Sequence, residues 1–221
     1  MIFIESIIRS RKWLLSCIFL LVTSFPGWAQ PTGRFLGSVL AQWVDTDNGH
    51  RNLKLLNDFG YVDSKGKTWE VPGGTIIEEA SMPKSLWLQD SIPLLTSYRR
   101  AAILLTYYCK YRKENWFLVY RMFYDACLTA GLPERKAKAL FAGVFASQQR
   151  WSPSYGYRSI SDKTVSFLGY QLINVSIAEI DFNEILEWIE TKNPSIDELV
   201  IRLHCSMKEK KEKRLLEPKD L

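Results

Sequence analysis

The chain has 221 residues, 47% hydrophobic and 24% charged, with a formal charge of +5. That composition describes a folded globular protein of one or two domains and excludes a disordered chain, a collagen-like repeat and a small disulfide scaffold. Eight Trp, ten Tyr and eleven Phe are enough to build a substantial core and leave some aromatic side chains for a binding surface.

At the N-terminus, Arg9, Arg11 and Lys12 precede Trp13 to Phe25, a stretch without a charge that is closed by Pro26 and Gly27. This is the order of a secretory signal, a basic segment followed by an apolar one. Gly27 and Ala29 place small residues where a signal peptidase requires them. A signal peptide over 1–29, cleaved after Ala29, is therefore expected, with the mature protein periplasmic or otherwise exported. Two alternatives are an uncleaved membrane anchor, since the stretch to Ala29 nearly spans a bilayer, and a lipoprotein site at Leu14-Leu15-Ser16-Cys17. Most of the apolar stretch follows Cys17, which weighs against the lipoprotein. Membrane contact is expected only if the segment stays uncleaved.

Removing residues 1–29 takes away three basic residues and one acidic residue, so +5 falls to +3. A charge that small gives no reason to expect a nucleic-acid partner. The basic tail from Lys208 to Lys219 is interleaved with Glu209, Glu212 and Glu217, the pattern of a solvated helix face.

Phe35 to Val44 reads as an apolar strand segment bounded by the turn-forming cluster Asp45 to Gly49. Leu53 to Leu56 and Asp58 to Val62 follow, and the latter pairs with Thr68 to Val71 across Asp63–Lys67 as a hairpin. Pro72-Gly73-Gly74 ends this antiparallel meander. Tyr98 to Tyr111, Glu114 to Ala130 and the stretch from Leu132-Pro133 to Gln149 then read as three helices, with Gly131 a stop and Pro133 suited to a first turn. Trp151 to Tyr157 reads as a linker and Thr164 to Ile177 as a strand. The Asp181/Glu184 and Ser195/Glu198 pairs have capping-box spacing, predicting helices over about 182–191 and 196–214.

The expected fold class is α+β: an N-terminal antiparallel β-meander packed on a three-helix layer, with a C-terminal strand and two helices. The expected division is a signal at 1–29, an α+β domain at 30–151 and a mainly helical extension at 152–221. Whether that extension is a separate domain or completes the first core is left open by the residues alone. Cys109, Cys127 and Cys205 allow at most one internal disulfide; Cys109 with Cys127 is one option and small buried hydrophobes the other. The two histidines and the lack of HExxH, CxxC, GxSxG, P-loop and GxGxxG patterns give no reason to expect a metal or cofactor.

Val71-Pro72-Gly73-Gly74, then Ala80-Ser81-Met82-Pro83-Lys84 with Leu86-Trp87, then Tyr98 with Ala101-Ala102-Ile103-Leu104, continued by Phe123, Ala126, Gly131, Ala137 and Trp151, carry a resemblance. They resemble a phage- and prophage-associated domain family of unknown function with the pattern VPxGFxTDxASxPR, then AAxxHD, then an Asp three residues before a Phe, over residues 53–151. The resemblance implies a clustered polar site of Asp, His, Asp and Ser, groups that ligate a cation or carry protons near neutral pH. Here the first Asp falls on Glu78, the HD pair on Leu105 and Thr106, and the later Asp on Tyr120. Ser81 is retained and Lys84 replaces an Arg.

Two functions follow from that pattern of loss. One is an exported, non-catalytic binding protein that recognises a protein partner, such as an envelope inhibitor or immunity protein, through Lys84, Thr106, Tyr107, Tyr120 and Trp151. In that reading Tyr107, Tyr108, Tyr111, Trp116 and Tyr120 line a groove, although core packing explains about half of them equally well. The alternative is a divergent cell-envelope hydrolase of peptidoglycan type that uses Glu78 or Glu79 as general base and Ser81 as a supporting or nucleophilic group.

Overall fold

In this computed structural model the residues described are 33–45, 51–78, 98–147, 149–160, 163–173, 177 and 179–216. The expected signal segment, Glu79, Ser81 and Lys84 lie outside them.

The N-terminal third forms six short strands: β1 (Arg34–Leu36), β2 (Ala41–Asp45), β3 (Arg51–Leu55), β4 (Phe59–Val62), β5 (Thr68–Val71) and β6 (Ile76–Glu78). They make two three-stranded antiparallel sheets, ordered β1-β4-β5 and β2-β3-β6. The apolar run from Phe35 to Val44 is therefore two strands, and the break is chemical. Gly37 takes a left-handed φ of 73°, which lets the chain leave one sheet for the other. Asn57 holds that corner: its Oδ1 accepts from the Leu40 N–H at 3.2 Å, and its Nδ2 donates to the Ser38 carbonyl at 3.0 Å. Asp58 beside it accepts from the Gly73 N–H at 2.7 Å, tying in the second crossing at Pro72–Gly74.

The β4–β5 hairpin forms as its sequence predicts. Asp63 Oδ1 accepts from the backbone N–H groups of Lys65 and Lys67, both at 2.9 Å, and its Oδ2 accepts from Trp69 Nε1 at 3.0 Å. One carboxylate thus closes the turn and orients the indole. Trp69 and Val71 alternate inward while Thr68 and Glu70 face solvent, the pattern of a half-buried strand.

Three helices follow: α1 (Arg99–Tyr111), α2 (Trp116–Thr129) and α3 (Glu134–Ser147). Every residue of α1 from Ala101 to Tyr108 is buried. α2 is capped by Asn115, whose side chain accepts from the Phe117 N–H at 2.9 Å, and Gly131 at φ 88° turns the chain out of it. The sheets dock on these helices through tyrosines: Tyr108 OH accepts from the Glu70 N–H at 2.9 Å, and Tyr61 OH lies 3.1 Å from Thr129 Oγ1.

Past α3 the structure departs from the sequence reading. The expected linker at 151–157 is strand β7 (Arg150–Ile160), paired antiparallel with β8 (Lys163–Ile173). Pro153 and Gly156 argued for a loop, but in a two-stranded ribbon both strands are edges and a proline is tolerated. α4 (Glu179–Lys192) begins before Asp181, so the Asp181/Glu184 pair is not its cap. α5 (Ile196–Leu216) does carry the predicted box: Glu198 Oε2 accepts from the Ser195 N–H and hydroxyl at 2.7 and 2.8 Å, and Ser195 Oγ accepts from the Glu198 N–H at 3.2 Å.

Ile185, Ile189, Leu199, Leu203 and Met207 from these two helices join the same hydrophobic cluster as α1–α3 and the sheets. A polar clamp holds the α4–α5 turn to α3. The buried Lys138 ammonium meets Glu134 Oε1 at 2.7 Å and donates to Asn193 Oδ1 at 2.9 Å. Among the described residues no helix is long and apolar enough to cross a membrane.

Two measurements check this account. Asp63→Ala removes three charge-assisted hydrogen bonds and should cost about 2–3 kcal/mol in urea unfolding. Glu134 is held below the ordinary carboxyl range, chiefly by the Lys138 hydrogen bond. A depressed folded value means that its contribution is present above the unfolded value and lost as pH falls through the folded one. Glu134→Gln should therefore be less stable than the parent at about pH 6, and the difference should shrink as pH falls below the ordinary carboxyl range. A difference that does not change with pH would show that the clamp carries no ionic component.

Candidate functional site

A cleft of about 320 Å³ opens where β6, α1 and β7 meet, lined by Glu78, Thr106, Cys109, Lys110, Arg112, Gln149 and Trp151. Each element supplies its residues for a local reason. Thr106, Cys109 and Lys110 stand at i, i+3 and i+4, one stripe of α1. Arg112 follows at the C-cap, and Glu78 is the last residue of β6. Gln149 and Trp151 straddle Arg150, so strand alternation sends the arginine to the opposite side.

Two hydrogen bonds hold the β7 wall: Trp151 Nε1 donates to the Glu114 carbonyl at 2.7 Å, and Tyr120 OH donates to the Gln149 carbonyl at 2.8 Å. Arg150 is packed behind it, its guanidinium 4.4 Å from the Trp116 ring centroid and 4.6 Å from that of Phe145. Its Nη2 donates to Met207 Sδ at 3.0 Å.

The chemistry of the cleft follows from how its groups are engaged. Lys110 Nζ lies 2.6 Å from Glu78 Oε1, and that hydrogen bond raises the lysine above its ordinary value. Both partners are substantially solvated, so the pair adds little stability. Thr106 donates its hydroxyl proton back to the Ala102 carbonyl at 2.8 Å. Burial pushes the Cys109 thiol up to about 12, and the nearby Arg112 only partly offsets it; a thiol so placed is a poor nucleophile. Burial likewise raises the Tyr120 phenol. The shifts of Lys110, Cys109 and Tyr120 all lead away from neutral pH. Among the described residues, no three His, Cys, Asp or Glu side chains converge as metal ligands.

Of the residues singled out from the sequence, the cleft brings together Glu78, Thr106 and Trp151. Leu105 is fully buried in the core. Tyr120 is also sealed there and reaches the cleft only through the Gln149 carbonyl. Tyr107 belongs elsewhere: its hydroxyl accepts from Lys113 Nζ at 2.6 Å, and its ring packs on Tyr108 and Tyr111.

The five aromatic residues expected along one groove instead fall into two clusters. Tyr107, Tyr108 and Tyr111 stack at the end of α1 beside Trp69, whereas Trp116 and Tyr120 pack with Phe145. Tyr107, Tyr108 and Tyr120 are core residues, and Tyr111, at 47% exposure, is the outlying one. Sequence reasoning missed Lys110, Arg112 and Gln149 as site residues. The i, i+3, i+4 spacing from Thr106 was the available signal for Lys110, while Gln149 and Arg112 required the strand and the helix end to be placed first.

Cys109, Cys127 and Cys205 are free thiols, with Cys127 buried, Cys109 partly buried and Cys205 exposed. A second hollow, of about 310 Å³, lies over β4 and β5 and includes Asp58, Glu70 and Pro72. Asp58 is already engaged by the Gly73 N–H.

Residues 53–144 match a family described as a protein of unknown function, DUF1353. That span runs from β3 to near the end of α3. It includes Glu78, Thr106, Cys109, Lys110 and Arg112 and stops short of Gln149 and Trp151.

Two proteins of Sinorhizobium fredii (strain NBRC 101917 / NGR234) are similar to this chain. Uncharacterized protein y4iH is 38% identical over 117 residues, covering 53% of this chain and 48% of its own. Uncharacterized protein y4jT is 29% identical over 120 residues, covering 54% of this chain and 35% of its own. The chain thus spans half or less of the length of these relatives. No solved structure matches it.

Thiol labelling tests the packing around the cleft. Iodoacetamide applied to the native protein at about pH 8 should modify Cys205 while Cys109 and Cys127 stay protected until the chain is unfolded. Rapid modification of Cys109 in the native state would show that the cleft floor is open.

Proposed function

We propose that this chain is an exported protein that acts by binding a protein partner rather than by catalysis, on a degenerate phage-type domain. An envelope inhibitor or immunity protein is the role that fits best. One observation carries the reading. At the positions where an imidazole and acids are implied by the resemblance, Leu105 is sealed in the core, Thr106 is bonded to its own helix, and Tyr120 is buried with its hydroxyl committed to Gln149.

A cleft in which the implied imidazole and later acid are replaced and the one carboxylate, Glu78, is paired with Lys110 suits recognition. Export is supported by the charge and hydropathy order of residues 1–29, with Gly27 and Ala29 before the expected cleavage point. The divergent hydrolase has one observation in its favour, the presence of Glu78 in the cleft. That carboxylate is held in an ion pair by Lys110, whereas a general base must be free to accept a proton.

The test has two parts. Cell fractionation with N-terminal sequencing should find the protein outside the cytoplasm and starting at Gln30. The purified protein should release no fragments from peptidoglycan and should retain an envelope protein on affinity capture, with Glu78→Ala unchanged in the wall assay. Wall-degrading turnover that is lost in Glu78→Ala, with no partner retained, overturns the reading in favour of the hydrolase.

A further inference from the structure

Among the described residues, the charges around the cleft do not balance. Lys110 and Glu78 neutralise one another at 2.6 Å. Arg112 lines the same wall and has no acidic partner among the described residues. Four other cations are engaged, Arg121 with Asp197, Lys67 with Glu114, Lys138 with Glu134, and Arg150 between two rings, but Arg112 is the unpaired one that lines the cleft among the described residues.

The backbone of Arg112 adds a second anomaly. It sits at φ 50°, ψ 34°, where its N–H caps the Tyr108 carbonyl at 2.9 Å. This left-handed C-cap is the position at which glycine is the unstrained choice. A basic residue at a helix C-terminus is ordinary, but Lys110 and Lys113 already provide that charge. Arg112 is thus held in a glycine conformation while it lines the hollow, and a guanidinium carries paired N–H donors matched to a carboxylate.

We propose that the cleft binds a carboxylate, taken by Arg112 above a floor formed by Thr106 and Trp151. The inference rests on the binding-protein reading and deepens it: the group recognised is an acidic side chain of the partner. A free small dicarboxylic acid has the same chemistry, and the test separates the two sources.

Amide chemical shifts of the isotope-labelled full chain are followed during titration with an end-blocked Gly-Glu-Gly peptide, its Gly-Gln-Gly counterpart and free glutarate. The Glu peptide should produce saturable shifts at Lys110, Arg112, Gln149 and Trp151, with an affinity at least about tenfold above that of the Gln peptide. Arg112→Gly suits the left-handed backbone, so its melting temperature should equal or exceed the parent's while the response to the Glu peptide is lost. Arg112→Lys should retain part of it.

Equal affinity for the two peptides, or an unchanged response in Arg112→Gly, overturns the inference. Glutarate binding more tightly than the Glu peptide supports the carboxylate site but overturns its assignment to a partner's side chain. A captured envelope partner whose affinity ignores Arg112→Gly overturns the carboxylate site and leaves the binding-protein reading standing.

Discussion

The fold depends on one helix that has no solvent face over two turns. From Ala101 to Tyr108 every side chain of α1 is buried, so the helix is stable only if other elements enclose it on every side. Burying each of its larger aliphatic side chains contributes about 1.5–3 kcal/mol. The sheets cover one flank through the edge-on contact of Trp69 with Tyr108, and α2 packs along another. The enclosure ends at the last turn, where Cys109 is half-buried and Lys110, Tyr111 and Arg112 emerge beside β6 and β7. The cleft lies there because the helix outruns its cover.

The back wall of that cleft is tied to the C-terminal helices through an unusual group. Arg150 is buried, and among the described residues its Nε has no hydrogen-bond partner and its guanidinium meets Trp116, Phe145 and Met207 rather than a carboxylate. Desolvation lowers its pKa, with Tyr120 opposing that effect, yet a guanidinium remains protonated in a protein. The electron-rich ring faces and the thioether sulfur partly replace its hydration. Since Gln149 and Trp151 are its chain neighbours, the packing of α5 against Arg150 fixes the strand that forms the cleft wall. Helix α5 is thus part of the site's scaffold, although the described lining residues include none of its side chains.

Much of this architecture was legible in the sequence. Glycine, proline and capping residues mark helix ends by local chemistry, and Gly131 and the Ser195/Glu198 box each act where they were read, whereas the Asn115 cap went unread and starts its helix at Trp116 rather than Glu114. The 63–67 turn was equally local. What escaped depended on distant partners. Gly37 inside an apolar run does not announce a change of sheet, because that change is secured by Asn57, twenty residues on. β7 was hidden by Pro153 and Gly156, whose loop preference is overridden only by a paired strand. Asp181 met the spacing of a cap, but helix formers upstream carried α4 past it. In the site, Glu78, Thr106 and Trp151 were reachable through the resemblance, whereas Arg112 drew no notice because a lone arginine after a helix is ordinary until a cavity is found beside it.

The same helix accounts for the contrast between sealed and open positions. Residues 105 and 106 are neighbours in sequence but about 100° apart around the axis. Leu105 turns into the core, while Thr106 turns toward the cleft with its hydroxyl satisfied internally. Three and four residues later the stripe continues with Cys109, whose thiol is kept neutral by burial, and Lys110, where the helix leaves its cover. The charge on this stripe therefore sits at its rim. The Glu78–Lys110 pair and Arg112 are more exposed than Thr106, so the charged groups of the cleft lie outermost and the buried Thr106 lies at its floor.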